Sequence, residues 1–136
     1  MLNWFKNLFG KSEKKSIKEP PKIEIPAQDS HEISPLEVKT KLEQGEPIIL
    51  VDVRSDAELE IASIKGAIHV PREDVHERYK EISDDPLAQI VVFCHHGMRS
   101  EEAMHQLWGL GFQETKLMAG GIDAWSVEID PKVPRY

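Results

Sequence analysis

The only cysteine of this 136-residue chain lies between an apolar run and a stretch with helical spacing. The run IVVF, residues 90–93, precedes Cys94, and the loop CHHGMRS leads from it into the helical stretch. A lone cysteine after an apolar strand is most often a small buried hydrophobe. Loop amides and a helix N-terminus at the same place can instead stabilise a thiolate. The neighbouring residues favour the second interpretation, a nucleophilic cysteine.

The loop residues are of types that can hold an anionic substrate beside the sulfur. Gly97 allows the backbone to turn, and Arg99 offers a forked, permanently charged donor, although an arginine there can also form a salt bridge at the helix start. Ser100 can cap the helix. The loop also contains Met98. We predict that the substrate-binding residues are the six that follow the cysteine, His95, His96, Gly97, Met98, Arg99 and Ser100.

The two histidines are expected to tune access and charge, because imidazole changes its charge near neutral pH. A zinc site made of Cys94, His95 and His96 is disfavoured, since adjacent residues on a tight loop rarely converge on one ion. We expect no metal and no organic cofactor.

Apolar runs alternate with helical spacing over residues 31–136, which predicts an α/β layered domain with a mainly parallel central sheet and helices on both faces. The predicted strands lie within residues 48–54, 66–71, 90–93 and 115–121, the last of which also includes a turn. The predicted helices lie within residues 34–47, 55–63, 72–82, 99–110 and 122–129. Sites in such sheets gather at the carboxyl ends of strands, where Cys94 is expected.

Four further residues are expected to support the site. Asp52 and Arg54 end a predicted strand, and we expect them to hold strand ends and the loop rather than to react. Gly120 and Gly121 are expected to allow a close approach of the backbone near the site. Trp125 is predicted to belong to the core.

Charge divides the chain into a basic N-terminal part and an acidic remainder. The net charge is −7, yet residues 1–22 carry six lysines and two glutamates. Residues 1–30 are therefore interpreted as a basic amphipathic tail with a proline-rich linker, and residues 31–136 as the folded domain. The acidic domain argues against nucleic-acid binding.

The first residues, MLNWFKNLFG, place aromatic and apolar side chains near one face of a helix, and lysines follow. Such a segment can lie in a membrane interface or dock on a partner, and a mobile extension is the plain alternative. We predict a weak membrane-surface contact through residues 1–15. Neither a cleavable signal peptide nor an apolar run of roughly 20 residues is found, so a cytoplasmic, peripherally membrane-associated protein is expected.

Three motifs occur in order along the domain: LVDVRSDAELEIASIKGAIHVP, CHHGMRS and LMAGGIDAW. Together they resemble the rhodanese-like domain. The tail SVEIDPKVPRY is similar to that of single-domain bacterial members and to that of rhodanese domains fused to sulfur-carrier activating enzymes. The resemblance departs at one turn, where Ala62, Ser63 and Lys65 replace a glycine, a histidine and a proline of many members.

The resemblance implies a rhodanese-like fold and a sulfurtransferase that needs no cofactor. Cys94 would be the catalytic residue and would carry a persulfide. The sulfur would come from a donor such as thiosulfate and pass to cyanide, a thiol or a protein acceptor. Inactive relatives serve as binding or regulatory modules, which is the alternative function.

A phosphatase or arsenate reductase is a less favoured alternative. Related folds with those activities have five residues between cysteine and arginine, whereas four separate Cys94 from Arg99. A smaller ring of amides suits a bound sulfur atom better than a tetrahedral phosphate.

Overall fold

The computed structural model describes residues 31–136. Within this part of the chain five strands form one sheet: β1 (Glu32–Ile33), β2 (Ile48–Asp52), β3 (Ile68–His69), β4 (Gln89–Phe93) and β5 (Thr115–Met118). The α-helices there are α1 (Pro35–Glu43), α2 (Asp56–Ile61), α3 (Val75–Arg78), α4 (Met98–Gly109) and α5 (Gly121–Glu128). The predicted tail and linker, residues 1–30, lie outside the described residues.

The sheet is parallel throughout, with the strand order β1-β5-β4-β2-β3. This confirms the predicted α/β fold. β4 lies at the centre and pairs with β2 in a register that sets Asp52 opposite Phe93. The carboxyl ends of β2 and β4 therefore meet at one edge of the sheet, where Arg54 and Cys94 follow their strands.

Alternate residues of β4 enter two separate cores, as the strand pleat requires. Ile90, Val92 and Cys94 pack on the face that includes Leu107 of α4. Val91 and Phe93 pack on the opposite face, in a core with residues of α1 and α5 that include Trp125. Helices therefore cover both faces, and Trp125, only 7% exposed, is a core residue as predicted.

Local signals explain where two of the helices begin. Ser34 accepts a hydrogen bond from the backbone N–H of Glu37 at 3.1 Å, and the Glu37 carboxylate lies 3.4 Å from the backbone nitrogen of Ser34. This capping box is the one that the S-x-x-E spacing predicts. A second box, made by Ser55 and Glu58, begins α2.

Residues 72–82, predicted as an exposed helix, form shorter pieces. Two 3-10 turns, Arg72–Asp74 and Tyr79–Glu81, flank the single turn of α3. Val75, one turn into this segment, and Ile82, its last residue, are buried and attach it to the core. No helix among residues 31–136 is long and apolar enough to cross a membrane.

Candidate active site

The central strand places Cys94 at the carboxyl edge of the sheet, immediately after Phe93. The side chain is only 1% exposed, because it packs in the core on the α4 side of the sheet. The N-terminus of α4 follows after three residues, with Gly97 as its cap. Gly97 has no side chain that could accept hydrogen bonds from the first backbone N–H groups of α4. These N–H groups, at the positive end of the 12-residue helix, therefore remain available to an acceptor near the sulfur.

Ser100 is the nearest side-chain partner of the sulfur. Its hydroxyl oxygen lies 3.6 Å from Cys94 Sγ and donates a hydrogen bond of 2.9 Å to the carbonyl oxygen of Gly97. The hydroxyl can therefore accept from the thiol in this arrangement. Rotation of the same hydroxyl away from Gly97 would let it donate to a thiolate, and the fully buried position of Ser100 excludes competing water.

The two glycines that follow β5 bring α5 against the cysteine loop. Gly120 and Gly121 have φ values of +76° and +63°. The backbone N–H of Ile122 donates to the carbonyl oxygen of Cys94 at 2.8 Å, and that of Asp123 donates to the carbonyl oxygen of His95 at 3.2 Å. A Cβ on Gly121 would overlap both of these carbonyl groups, so the close approach depends on glycine.

We therefore expect Gly121→Ala to lower the free energy of unfolding by about 2 kcal/mol or more and to reduce activity by displacing Cys94. Gly109→Ala is the matched control, because Gly109 lies in α4 with a helical backbone and open space around it. Urea unfolding of both variants, together with an assay of the sulfur-transfer activity that the resemblance implies, tests this. Equal stability of the two variants would contradict the argument.

Arg99, predicted to bind the donor, is paired with a carboxylate of α2. Its Nη1 and Nη2 donate to the two oxygens of Glu58 at 2.5 and 2.9 Å. The Arg99 hydrogen bonds hold the pKa of Glu58 well below its usual range, although partial burial opposes the shift. The pKa of Arg99 is raised by the same pair. The alternative interpretation of this arginine, a salt bridge at the helix start, thus describes the arrangement in the structure.

Asp52 and Arg54 form a fully buried ion pair beneath the loop. Arg54 Nε and Nη2 donate to the Asp52 carboxylate at 2.9 and 2.6 Å, and Nη2 also donates to the carbonyl oxygen of Ala62 at 2.6 Å. Burial acts to lower the pKa of Arg54, but the hydrogen bonds to Asp52 and Tyr136 outweigh it and the pKa is raised. The pair joins the end of β2 to the turn that departs from the common family pattern.

Tyr136 connects this buried pair to the loop. Its hydroxyl accepts from Arg54 Nη1 at 2.8 Å and donates to Glu58 Oε2 at 2.8 Å. Its ring stacks on the imidazole of His95, with centroids 4.0 Å apart and an interplanar angle of 6°. Burial lowers the pKa of His95, and the nearby His96 adds to the effect. One side chain therefore contacts the residue after the cysteine, the partner of Arg99 and the buried arginine.

The family model of the rhodanese-like domain matches residues 34–128. The chain belongs to the rhodanese-like family. A protein of Bacillus subtilis named putative sulfurtransferase YtwF is 36% identical over 101 residues, which are 74% of this chain and 95% of that protein. The probable adenylyltransferase/sulfurtransferase MoeZ of Mycobacterium tuberculosis is 32% identical over 106 residues. Those residues are 76% of this chain and 26% of MoeZ, so the chain spans about a quarter of the length of that relative.

Solved structures have the same fold as this rhodanese-like domain. A rhodanese-related protein of Thermoplasma volcanium superposes with a TM-score of 0.66 at 28% identity, covering 78% of this chain and 99% of the other. The human single-domain sulfurtransferase TSTD1 superposes with a TM-score of 0.66 at 24% identity, covering 72% and 96%, and supports the fold alone.

The rhodanese-like domain also brings together three side chains of the kinds that bind metals. Ligand atoms of His95, His96 and Asp123 lie within 4.8 Å of one another, and Cys94 is not among them. Asp123 already pairs with Arg135, at 2.9 Å between its Oδ1 and Arg135 Nε. His96 is exposed, with Nε2 3.9 Å from Asp123, and Met98 on the same loop is 81% exposed.

Sequence reasoning did not assign Glu58 and Tyr136 to the site. Glu58 lies in the first of the three motifs that resemble the family, and its S-x-x-E spacing predicts a helix start, but neither signal indicates a contact with Arg99. Tyr136 lies 78 residues from Glu58 along the chain, and no local pattern indicates their contact.

Proposed function

We propose that this chain transfers sulfane sulfur through a persulfide on Cys94, from a donor such as thiosulfate to cyanide, a thiol or a protein acceptor. The observation that carries the proposal is the position of Cys94, directly after the central strand and beside the N-terminus of α4, which has no side-chain cap. The names of two relatives, YtwF and MoeZ, support sulfur transfer in general.

In the first step the Cys94 thiolate attacks the outer sulfur of thiosulfate. The bond between the two sulfur atoms of thiosulfate breaks, and its electron pair leaves with sulfite. In the second step an acceptor thiolate attacks the outer sulfur of the persulfide, and the electron pair returns to Cys94. Two displacements at sulfur complete the cycle without net oxidation, so the reaction needs no redox cofactor.

The loop supplies the groups that this chemistry needs. The backbone N–H groups of the segment from His95 to Ser100 and the positive end of α4 stabilise the thiolate and the persulfide. The Ser100 hydroxyl donates to the sulfur when that atom is charged. Gly97 allows the backbone to turn, which keeps the N–H groups close to the sulfur. Arg99 faces the oxyanion end of the donor. Met98 and His96 line the exposed rim, where an acceptor arrives.

Intact-mass spectrometry after incubation with thiosulfate tests the proposal. We expect the protein to gain one sulfur atom, which a thiol reductant removes. An unchanged mass even at a high concentration of thiosulfate would favour the alternative function, a binding module without activity. Hydrolysis of an aryl phosphate would instead support the phosphatase alternative, which the four-residue spacing between Cys94 and Arg99 disfavours.

We also propose a cytoplasmic protein whose residues 1–15 contact an anionic membrane surface. Four lysines and three aromatic residues in this segment support the contact. The full chain should co-sediment with anionic vesicles at low salt and dissociate as salt is added, because a single short segment binds weakly. The chain lacking residues 1–15 is the comparison. Equal sedimentation of the two proteins would contradict the proposal.

A further inference from the structure

The charge that should attract an anionic donor is neutralised within the protein. All five arginines of the described residues are in ion pairs: Arg54 with Asp52, Arg72 with Glu102, Arg78 with Glu81, Arg99 with Glu58 and Arg135 with Asp123. The described domain carries 20 acidic and 11 basic side chains, so its overall field repels anions. No arginine of residues 31–136 is therefore unpaired and available to bind a dianion.

Glu58 is held in place on its other sides as well. Ser55 contributes its backbone N–H and its hydroxyl to Oε1, at 3.2 and 3.1 Å. Tyr136 donates to Oε2, and the Tyr136 oxygen in turn accepts from the buried Arg54. The Glu58 side chain is 18% exposed and the Arg99 side chain 30%. The carboxylate is therefore a preorganised partner for Arg99 and not a mobile surface group.

The bidentate pair uses the same end of the guanidinium that best recognises an oxyanion. Arg99 is the second residue of α4, whose N-terminus follows Cys94 after three residues, so the helix end beside the reacting atom carries the guanidinium. The sulfonate end of thiosulfate, whose outer sulfur must reach Cys94, arrives in this region. It meets an arginine whose charge is already balanced and whose fork is already occupied.

We propose that Glu58 is a specificity-determining residue that competes with the oxyanion end of the donor for Arg99 and so disfavours dianionic donors such as thiosulfate. The proposal rests on the sulfur-transfer function proposed above. A donor without an oxyanion next to its transferable sulfur does not need Arg99 and is not subject to this competition. The carboxylate thereby selects between donors without touching the sulfur.

Glu58→Gln tests the competition, since it keeps the shape of the side chain and removes its charge. The rate of Cys94 persulfide formation is measured against thiosulfate concentration. We expect KM for thiosulfate to fall about fivefold to tenfold, with kcat little changed, because Arg99 becomes available to the donor. Tyr136→Phe removes one hydrogen bond to Glu58 and should give a smaller fall.

Glu102→Gln is the matched control. Glu102 lies in the first turns of α4 and pairs with Arg72 at 2.8 Å, so this substitution removes the same charge from another ion pair. We expect its KM to be unchanged. Adding Arg99→Ala to Glu58→Gln should abolish the gain, which separates release of Arg99 from a general change in the field.

A higher KM or a lower kcat in Glu58→Gln would overturn the inference, because Glu58 would then orient Arg99 productively. An equal fall in Glu102→Gln would overturn it as well, in favour of a general charge effect. Thermal unfolding shows whether the Glu58→Gln protein folds. If this variant does not fold, an unchanged KM for thiosulfate in Tyr136→Phe would contradict the inference. If the wild type forms a persulfide and Glu58→Gln leaves KM for thiosulfate unchanged, only this inference is contradicted. If no variant forms a persulfide, the proposed function is contradicted, and the inference that rests on it is contradicted as well.

Discussion

Replacing Cys94 with serine should abolish sulfur transfer while the fold is retained. A serine hydroxyl is not ionised near neutral pH and cannot carry a sulfane sulfur, so both half-reactions are lost. We expect a loss of activity on the order of 10⁴-fold or more, the scale seen when a covalent nucleophile is removed. Serine is close to cysteine in size, and its hydroxyl can keep a contact with Ser100, the partner 3.6 Å from the sulfur.

Two measurements check this result. The variant should gain no sulfur in intact-mass spectrometry after treatment with thiosulfate, and it should show no thiocyanate formation from thiosulfate and cyanide. Its melting temperature and circular dichroism should remain close to those of the wild type, which separates lost chemistry from lost structure. A sulfur adduct that survives in the variant would place the reaction at another atom, and the proposed function would fail.

The central part of the site was predictable because its signals are local. An apolar run, one cysteine, a glycine and a helical stretch follow one another within 20 residues, and each has a direct structural meaning. The strand, the loop and the helix lie in that order in the structure, with α4 beginning at Met98. The parallel sheet followed equally from the alternation of apolar runs and helices.

The environment of Arg99 was not predictable in the same way. Its pairing with Glu58 joins residues 41 apart, and the contact of Tyr136 with Glu58 joins residues 78 apart. Such contacts arise from the sheet order, which sets β2 beside β4, and no periodicity along the chain encodes them. The sequence also offered two uses for the arginine, donor binding and a salt bridge. In the structure the salt bridge occupies the guanidinium that the proposed donor contact would use.

The pieces at residues 72–82 show a second limit of sequence reasoning. Their polar composition indicated a helix exposed to solvent, and most of these side chains are exposed or half-buried. Val75 and Ile82 are nevertheless buried and bind the segment to the sheet at two points. Tertiary packing at these points, rather than helix propensity, accounts for the short helical turns.

Replacing Arg54 with leucine should be the most destabilising of the substitutions considered. Both Arg54 and Asp52 are fully buried, and removing the arginine leaves a carboxylate in the interior without its bidentate partner. The carbonyl oxygen of Ala62 and the hydroxyl of Tyr136 lose a donor at the same time. We expect the free energy of unfolding to fall by about 3 to 5 kcal/mol, the usual cost of breaking a buried pair from one side.

The double variant Asp52→Asn with Arg54→Leu separates the unpaired charge from the lost packing. Removing both charges should recover part of the stability, because the penalty of a buried, uncompensated carboxylate disappears. Arg78→Leu is the comparison for an arginine in an exposed pair with Glu81, and its effect should be much smaller, since solvent screens that pair. Urea unfolding of the three variants and the wild type measures the four free energies of unfolding that this comparison needs.

The Arg54 variant also connects stability to the site. Tyr136 is held by Arg54 and in turn holds Glu58, so loss of the arginine loosens the carboxylate that pairs with Arg99. A destabilised but folded Arg54→Leu protein should therefore show a changed KM for thiosulfate, whereas Arg78→Leu should not. A loss of stability no larger than that of Arg78→Leu would contradict the argument, because the buried pair would then contribute no more to the fold than an exposed one.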